Sequence, residues 1–298
     1  MIRLGLCCKF LKEPIAFRMA TATYVQRLSR PEQLVFISRL CQANALALIQ
    51  AIEYCHRKRI GCFRVNSRIL PLKTHPQLAY SIDILPNGEE IRNTFLECGK
   101  KAARFGIRIT FHPDQFILLS SPDKEIVRKS VEELEYQAEV CDWIGADVIN
   151  IHAGGGYGDK QSALKRMGAA VSKLKKRVRD RLTLENDDRI YTPSDLLPFC
   201  KQYRLPLVYD VHHHRCLPDQ LSIPEATDLA LRTWNREPLF HISSPKYGWE
   251  TPPIRPHHDY IQIRDFPDGW RGLKITIEVE AKAKEMAVLR LQKALQRR

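Results

Sequence analysis

The chain has 298 residues, 44% of them hydrophobic, and its 47 Lys and Arg against 34 Asp and Glu give a formal net charge of +13. That length suits one α/β barrel domain over residues 1–298, since such barrels use about 250 residues as a unit. Nine cysteines without a CxxC pair exclude a disulfide scaffold or zinc knuckle, and no segment reads as a secretory signal or membrane span, so a cytoplasmic monomer with no membrane partner is expected.

The first strand is IRLGLCC (2–8); its Cys7 and Cys8 either line a site or pack. A polar and aromatic segment (9–30) leads to a helix over 31–56, opened by Ser29 and Pro31. Strand CFRVN (62–66) precedes a long loop, and a helix over 89–105 stops at Gly106 before strand IRITFHP. Helix 123–144, ending at Gly145, then leads to strand 147–152, helix 161–181, strand 182–185, helix 193–203 and strand 207–212. Helix 224–234, strand 239–243, a proline-bearing lid loop over 245–256, strand 274–280 and helix 282–296 complete the chain. The cationic run KLKKRVRDR (173–181) is expected on a solvated helix face at the bottom rim.

Eight strands, each followed by a helix or helix-like connection, predict a (β/α)8 TIM barrel. An open doubly wound sheet is the rival, disfavoured because no glycine-rich fingerprint follows the first strand. Six strand-like runs finish on metal-binding side chains: His112, His152, Glu185, Asp210 with His213, His241, and Glu280. A parallel sheet presents its carboxyl ends along one rim, so these residues should meet there. Imidazoles with carboxylates and no thiolates suit zinc, manganese or iron, and clustered ions promote phosphoryl transfer. The excess of positive charge favours a polyanionic partner.

HPDQF (112–116), NIHAGG (150–155), LEND (184–187), YDVHHH (209–214), HISSP (241–245), RPHHDYI (255–261) and EAKAKE (280–285) together resemble the ordered motifs of the UV damage endonuclease family, TIM barrels similar to endonuclease IV. The resemblance implies incision of damaged double-stranded DNA immediately 5′ of cyclobutane dimers, 6-4 photoproducts or other lesions such as abasic sites, leaving a 3′-hydroxyl. It also implies up to three divalent ions, manganese first, with zinc, magnesium or cobalt as alternatives. By position, Glu185 would bridge two ions, Asp210, His241 and Glu280 completing one and His112 and His152 the other; these carboxylates and His241 would be the catalytic set. His213 and His257 would serve a third ion, with His258 as the alternative to His257.

The same resemblance makes Gln115 and Phe116 a probe and wedge in the duplex, a device that converts the weak stacking of damaged DNA into selectivity. Loop packing is the other reading of Phe116. Lys9, Lys246 and Arg255 are candidate phosphate contacts, and Trp249 and Tyr260 either stack on bases or pack. Four departures from relatives bear on activity: Leu6 and Phe10 near the expected lesion pocket, Arg68 in place of a histidine, and Leu239 in place of a lysine beside the metals. The remaining functions are a xylose-isomerase-like sugar isomerase or epimerase, which would not need +13, and a non-catalytic damaged-DNA binding protein, which would lack ligands.

Overall fold

Short apolar runs rich in β-branched and aromatic residues form eight strands: β1 (Arg3–Cys7), β2 (Cys62–Val65), β3 (Arg108–Phe111), β4 (Val148–His152), β5 (Leu182–Glu185), β6 (Leu207–Asp210), β7 (Leu239–Ile242) and β8 (Thr276–Val279). All pair in parallel in chain order and β8 returns to β1, closing the barrel. The structure, a computed structural model, describes residues 2–296. Closure decides between the two architectures, because an open sheet would leave β1 and β8 as edges.

The helices are α1 (Ala22–Val25), α2 (Arg30–Arg57), α3 (Gly88–Phe105), α4 (Lys124–Ile144), α5 (Lys160–Val171), α6 (Lys176–Arg179), α7 (Pro193–Tyr203), α8 (Val211–Cys216), α9 (Ile223–Leu231) and α10 (Lys284–Gln296). Their ends follow local chemistry. Ser29 and Glu32 form a capping box at α2, and Gly106 and Gly145 end α3 and α4 at φ 65° and 70°, where other residues are strained. By length and composition α2 could cross a membrane, which corrects the expectation that no apolar run reaches that length. Its Ile37, Leu48 and Ile52 are instead fully buried in the core, each stabilising the fold by about 1.5–3 kcal/mol. All nine cysteines are free, and only Cys8 and Cys216 are not buried.

Two predicted elements differ. The helix expected over 161–181 is broken into α5 and α6; a run of like charges disfavours continuous helix, and Lys175, Arg177 and Arg181 pair with Glu135 or Asp142 of α4. The sixth strand stops at Asp210 because its Oδ1 accepts from the His213 amide, capping α8. That turn swings His213 over the rim rather than along the strand.

Candidate metal centre

Strand register brings the predicted ligands together. His152 is the Cα partner of Glu185, Asp210 of His241, and His241 of Glu278, so side chains alternating inward along each strand meet at the carboxyl rim. Glu185 is fully buried at the middle. Its Oε2 accepts from Asn150 Nδ2 at 2.6 Å and lies 2.9 Å from His112 Nε2 and 3.9 Å from His152 Nε2. Its Oε1 faces His241 Nδ1 at 3.1 Å and His213 Nδ1 at 3.3 Å. Glu280 Oε1 stands 3.5 Å from His241 Nδ1, and Asp210 Oδ2 3.7 Å from His213 Nδ1.

Three sets of donor atoms converge within 4.8 Å: His112, His152 and Glu185; His112, His241 and Glu280; Glu185, Asp210 and His213. His257 Nδ1 lies 3.7 Å from Glu280 Oε2, and its ring centroid is 6.3 Å from that of His213. His258 is turned away, its Nδ1 accepting from the Tyr260 amide at 2.9 Å.

The donor set fits divalent cations. Glu185 Oε1, Asp210 Oδ2, His152 Nδ1 and His241 Nδ1 are buried without a hydrogen-bond partner, and an unmet buried polar atom costs about 1–3 kcal/mol. Burial opposes charge on Glu185 and Glu280, yet His241 and His152 hold the first, and Arg64 and His241 the second, well below the usual carboxylate range. Burial likewise opposes charge on His213 and His241, yet Asp210 and Glu185 for the first, and Glu185 with Glu278 for the second, drive them well above the ordinary imidazole value. Histidines forced to hold protons report a local excess of negative charge, which a divalent cation would also answer.

Several supporting residues escaped the sequence reading. Thr183 Oγ1 donates to Asn150 Oδ1 at 3.0 Å, fixing the amide that holds Glu185. Asn186 Nδ2 donates to the Asp210 carbonyl and its Oδ1 accepts from the Asp210 amide. Arg64 Nη1 reaches Glu280 Oε1 at 2.6 Å and Glu278 Oε2 at 3.0 Å. Their shared signal was available: Asn150, Thr183 and Glu278 each stand two residues before a predicted ligand, on the same inward face of the strand.

Around the rim, Gln115 and Phe116 are exposed on the turn after β3, Phe116 at 67%. Phe116 borders a cavity of about 540 Å³ with Arg68, Asp114 and Tyr136, and Arg68 Nη2 donates to Asp114 at 3.2 Å. Lys9, Lys246 and Arg255 are exposed, Arg255 Nε donating to the Asp188 carbonyl at 3.0 Å. Trp249 packs on His212 and donates to Asp265, and Arg290 covers Tyr260, so both aromatics have packing roles.

The expected lesion-pocket placement of Leu6 is corrected. Leu6 is fully buried in the core and Phe10 packs on Tyr54 and Phe63, because a strand's alternation sends Leu6 outward under the helices. Leu239 is buried with Val148 and Val208 in a small apolar cluster against Trp234.

Residues 2–298 match the family model for UV-endonuclease UvdE. A UV DNA damage endonuclease of Bacillus velezensis (strain DSM 23117 / BGSC 10A6 / LMG 26770 / FZB42) is 35% identical over 289 residues, covering 92% of this chain and 88% of the relative. One of Bacillus pumilus (strain SAFR-032) is 32% identical over 281 residues, covering 90% and 85%. The crystal structure of SacUVDE superposes with a TM-score of 0.88 at 26% identity, covering 100% of this chain and 99% of that one. Endonuclease IV from Thermus thermophilus gives 0.60 at 17% identity, covering 84% and 94%, a likeness of fold alone.

Proposed function

The chain belongs to the UV-endonuclease UvdE family, and from that premise we propose that it cuts the DNA backbone immediately 5′ of a lesion at a centre of divalent ions, leaving a 3′-hydroxyl. One observation carries the reading: the buried carboxylate of Glu185, with four histidines around it and one oxygen free of any hydrogen bond. Glu185, Asp210, His241 and Glu280 would hold one ion, Glu185 with His112 and His152 a second, and His213 with His257 a third; manganese is the first choice, zinc, magnesium or cobalt the others. Such ions supply Lewis acidity and positive charge to the oxygens of a phosphodiester under attack.

The chain's own residues do the rest. Asn150, itself held by Thr183, fixes Glu185 Oε2, so the free Oε1 keeps its direction as ions and substrate enter. The Asn186 carbonyl accepts from His213 Nδ1 at 2.9 Å, leaving Nε2 as that ring's ligand atom. Pro113 does the same for His112, accepting from Nδ1 at 3.0 Å and turning Nε2 toward Glu185. Lys9, Lys246 and Arg255 contact phosphates and set the duplex on the rim without reading sequence. Gln115 and Phe116 enter the stack where damage has weakened it; an exposed phenyl ring is an apolar wedge with little to lose on leaving water. The net charge of +13 adds long-range attraction for the duplex.

The expected substrates are duplexes carrying cyclobutane dimers, 6-4 photoproducts or abasic sites, acted on by an intracellular monomer. The test is nicking, with Mn²⁺, of otherwise identical duplexes that are undamaged, abasic or dimer-bearing, with end-labelled strands to read the cut. Incision 5′ of the lesion with a 3′-hydroxyl product, abolished by chelation, is expected. Intact dimer-bearing duplex after incubation with folded, metal-loaded protein would overturn the proposal.

A further inference from the structure

Beneath the rim, a second carboxylate serves the centre without being among its predicted ligands. Glu278 projects into the barrel from β8 and is fully buried. The neighbouring strand leaves it room: Gly5 of β1 is its register partner, and a Cβ there would stand 3.2 Å from Glu278 Cγ. Glu278 Oε1 accepts from Thr110 Oγ1, and Oε2 lies 3.0 Å from both Arg64 Nη1 and His241 Nε2. His241 is therefore flanked on two sides. Its Nδ1 faces Glu185, Glu280 and Asp210 at 3.1, 3.5 and 4.0 Å, and its Nε2 faces Glu278.

Both ring nitrogens face carboxylates, but those on the Nδ1 side are predicted ligands of the ion and Glu278 is not; an ion there would take the Nδ1 lone pair in place of a proton, while Nε2, facing an acceptor-only carboxylate, would keep its own. We infer that Glu278 is a positioning residue of the metal centre: it holds His241 with Nε2 protonated and Nδ1 turned to the ion. The inference rests on the reading of this site as a divalent-metal centre. Two features make Glu278 suited to the task. Arg64 bridges Glu278 and Glu280 through one nitrogen, so the charge needed under His241 is tied to the carboxylate that shares its ion. Thr110, from β3, ties the same group to the strand that leads to His112. A carboxylate behind a ligating histidine raises the ring's basicity and locks its orientation, and losing such a partner costs about 10–100-fold in metal affinity.

The test uses the full chain and Zn²⁺ as probe, with affinity from competition against a chromophoric chelator and the His241 tautomer from ¹⁵N-edited histidine NMR of the Zn²⁺-loaded protein. Wild type should show His241 protonated at Nε2 and bound through Nδ1. Glu278→Met should weaken the site containing His241 by about 10–100-fold and abolish the single-tautomer signature. Glu278→Gln keeps an acceptor of the same shape, so it should preserve the tautomer while weakening Zn²⁺ binding less, an outcome that loss of packing alone would not give. If Glu278→Met fails to fold, Glu278→Gln decides: unchanged Zn²⁺ affinity in that variant overturns the inference. Wild-type affinity and tautomer in folded Glu278→Met overturn it as well, leaving the metal reading standing; a wild-type chain that takes up no Zn²⁺ overturns both.

Discussion

Replacing Glu185 by Gln exchanges one carboxylate oxygen for an NH₂ group at the point where the site converges. The side chain is fully buried, so neither orientation of the amide can be relieved by water. With the oxygen toward Asn150 Nδ2, the 2.6 Å hydrogen bond survives and the NH₂ meets His241 and His213 at the present 3.1 and 3.3 Å contacts. With the amide reversed, two NH₂ groups collide at the Asn150 contact. One buried donor is left unmet either way, a cost of about 1–3 kcal/mol. The larger penalty of about 3–5 kcal/mol for halving a buried ion pair does not apply, because neither histidine is left without a carboxylate: Asp210 still faces His213, and Glu278 and Glu280 still face His241. For a chain of 298 residues, unfolding entropy converts that cost to a fall in Tm of about 2–5 °C.

Function should suffer far more, since Glu185 belongs to two of the three converging donor sets. Losing several kcal/mol of charge stabilisation at the phosphodiester lowers incision about a thousandfold. The assay pairs nicking of a dimer-bearing duplex in Mn²⁺ with thermal melting and metal content of the same preparation. Wild-type incision by the folded variant would refute the reasoning; so would lost incision accompanied by a Tm drop of tens of degrees, which would make the residue structural.

Phe116→Ala should leave stability within about 0.5 kcal/mol, because the ring is exposed, yet reduce the preference for damaged over undamaged duplex by roughly five- to a hundredfold, the worth of one stacking contact. Competition between the two duplexes measures this, and unchanged preference would assign the ring to loop packing. Lys246→Ala should weaken duplex binding for every sequence and reduce the slope of log K against log salt by about one; an unchanged slope places Lys246 off the DNA. Asp219→Asn tests the support of α8. Burial opposes charge on Asp219, but hydrogen bonds from Ser194, Leu221 and His214 lower its pKa to about 2. A depressed carboxylate pKa stabilises the fold above the unfolded value near 4 and loses that contribution as pH falls toward 2. The variant should therefore melt below wild type at neutral pH and converge with it in acid, and a pH-independent gap would contradict this.

Strand ends and helix punctuation are local, and the sequence carried them. Ser29, Gly106 and Gly145 act within a few residues of where they stand, and βα alternation predicts that His112, His152, Glu185, His241 and Glu280 share one rim. Local signals misled where a side chain competed with the strand, as at Asp210, whose cap turns residues 211–216 into α8, and where like charges broke the helix expected over 161–181.

What only tertiary structure decided is everything that depends on register between strands far apart in the chain. His112 and Glu185 are 73 residues apart, and Arg64 and Glu280 are 216; no periodicity within either segment says how far one strand slides past the next. Closure from β8 to β1 sets that slide. It sets Glu278 against His241 and Arg64 against Glu280. The sequence by itself determined which side chains arrive at the rim, because alternation and chain order are local properties. The barrel decided which atoms face one another, because that depends on distances between strands that local sequence does not encode.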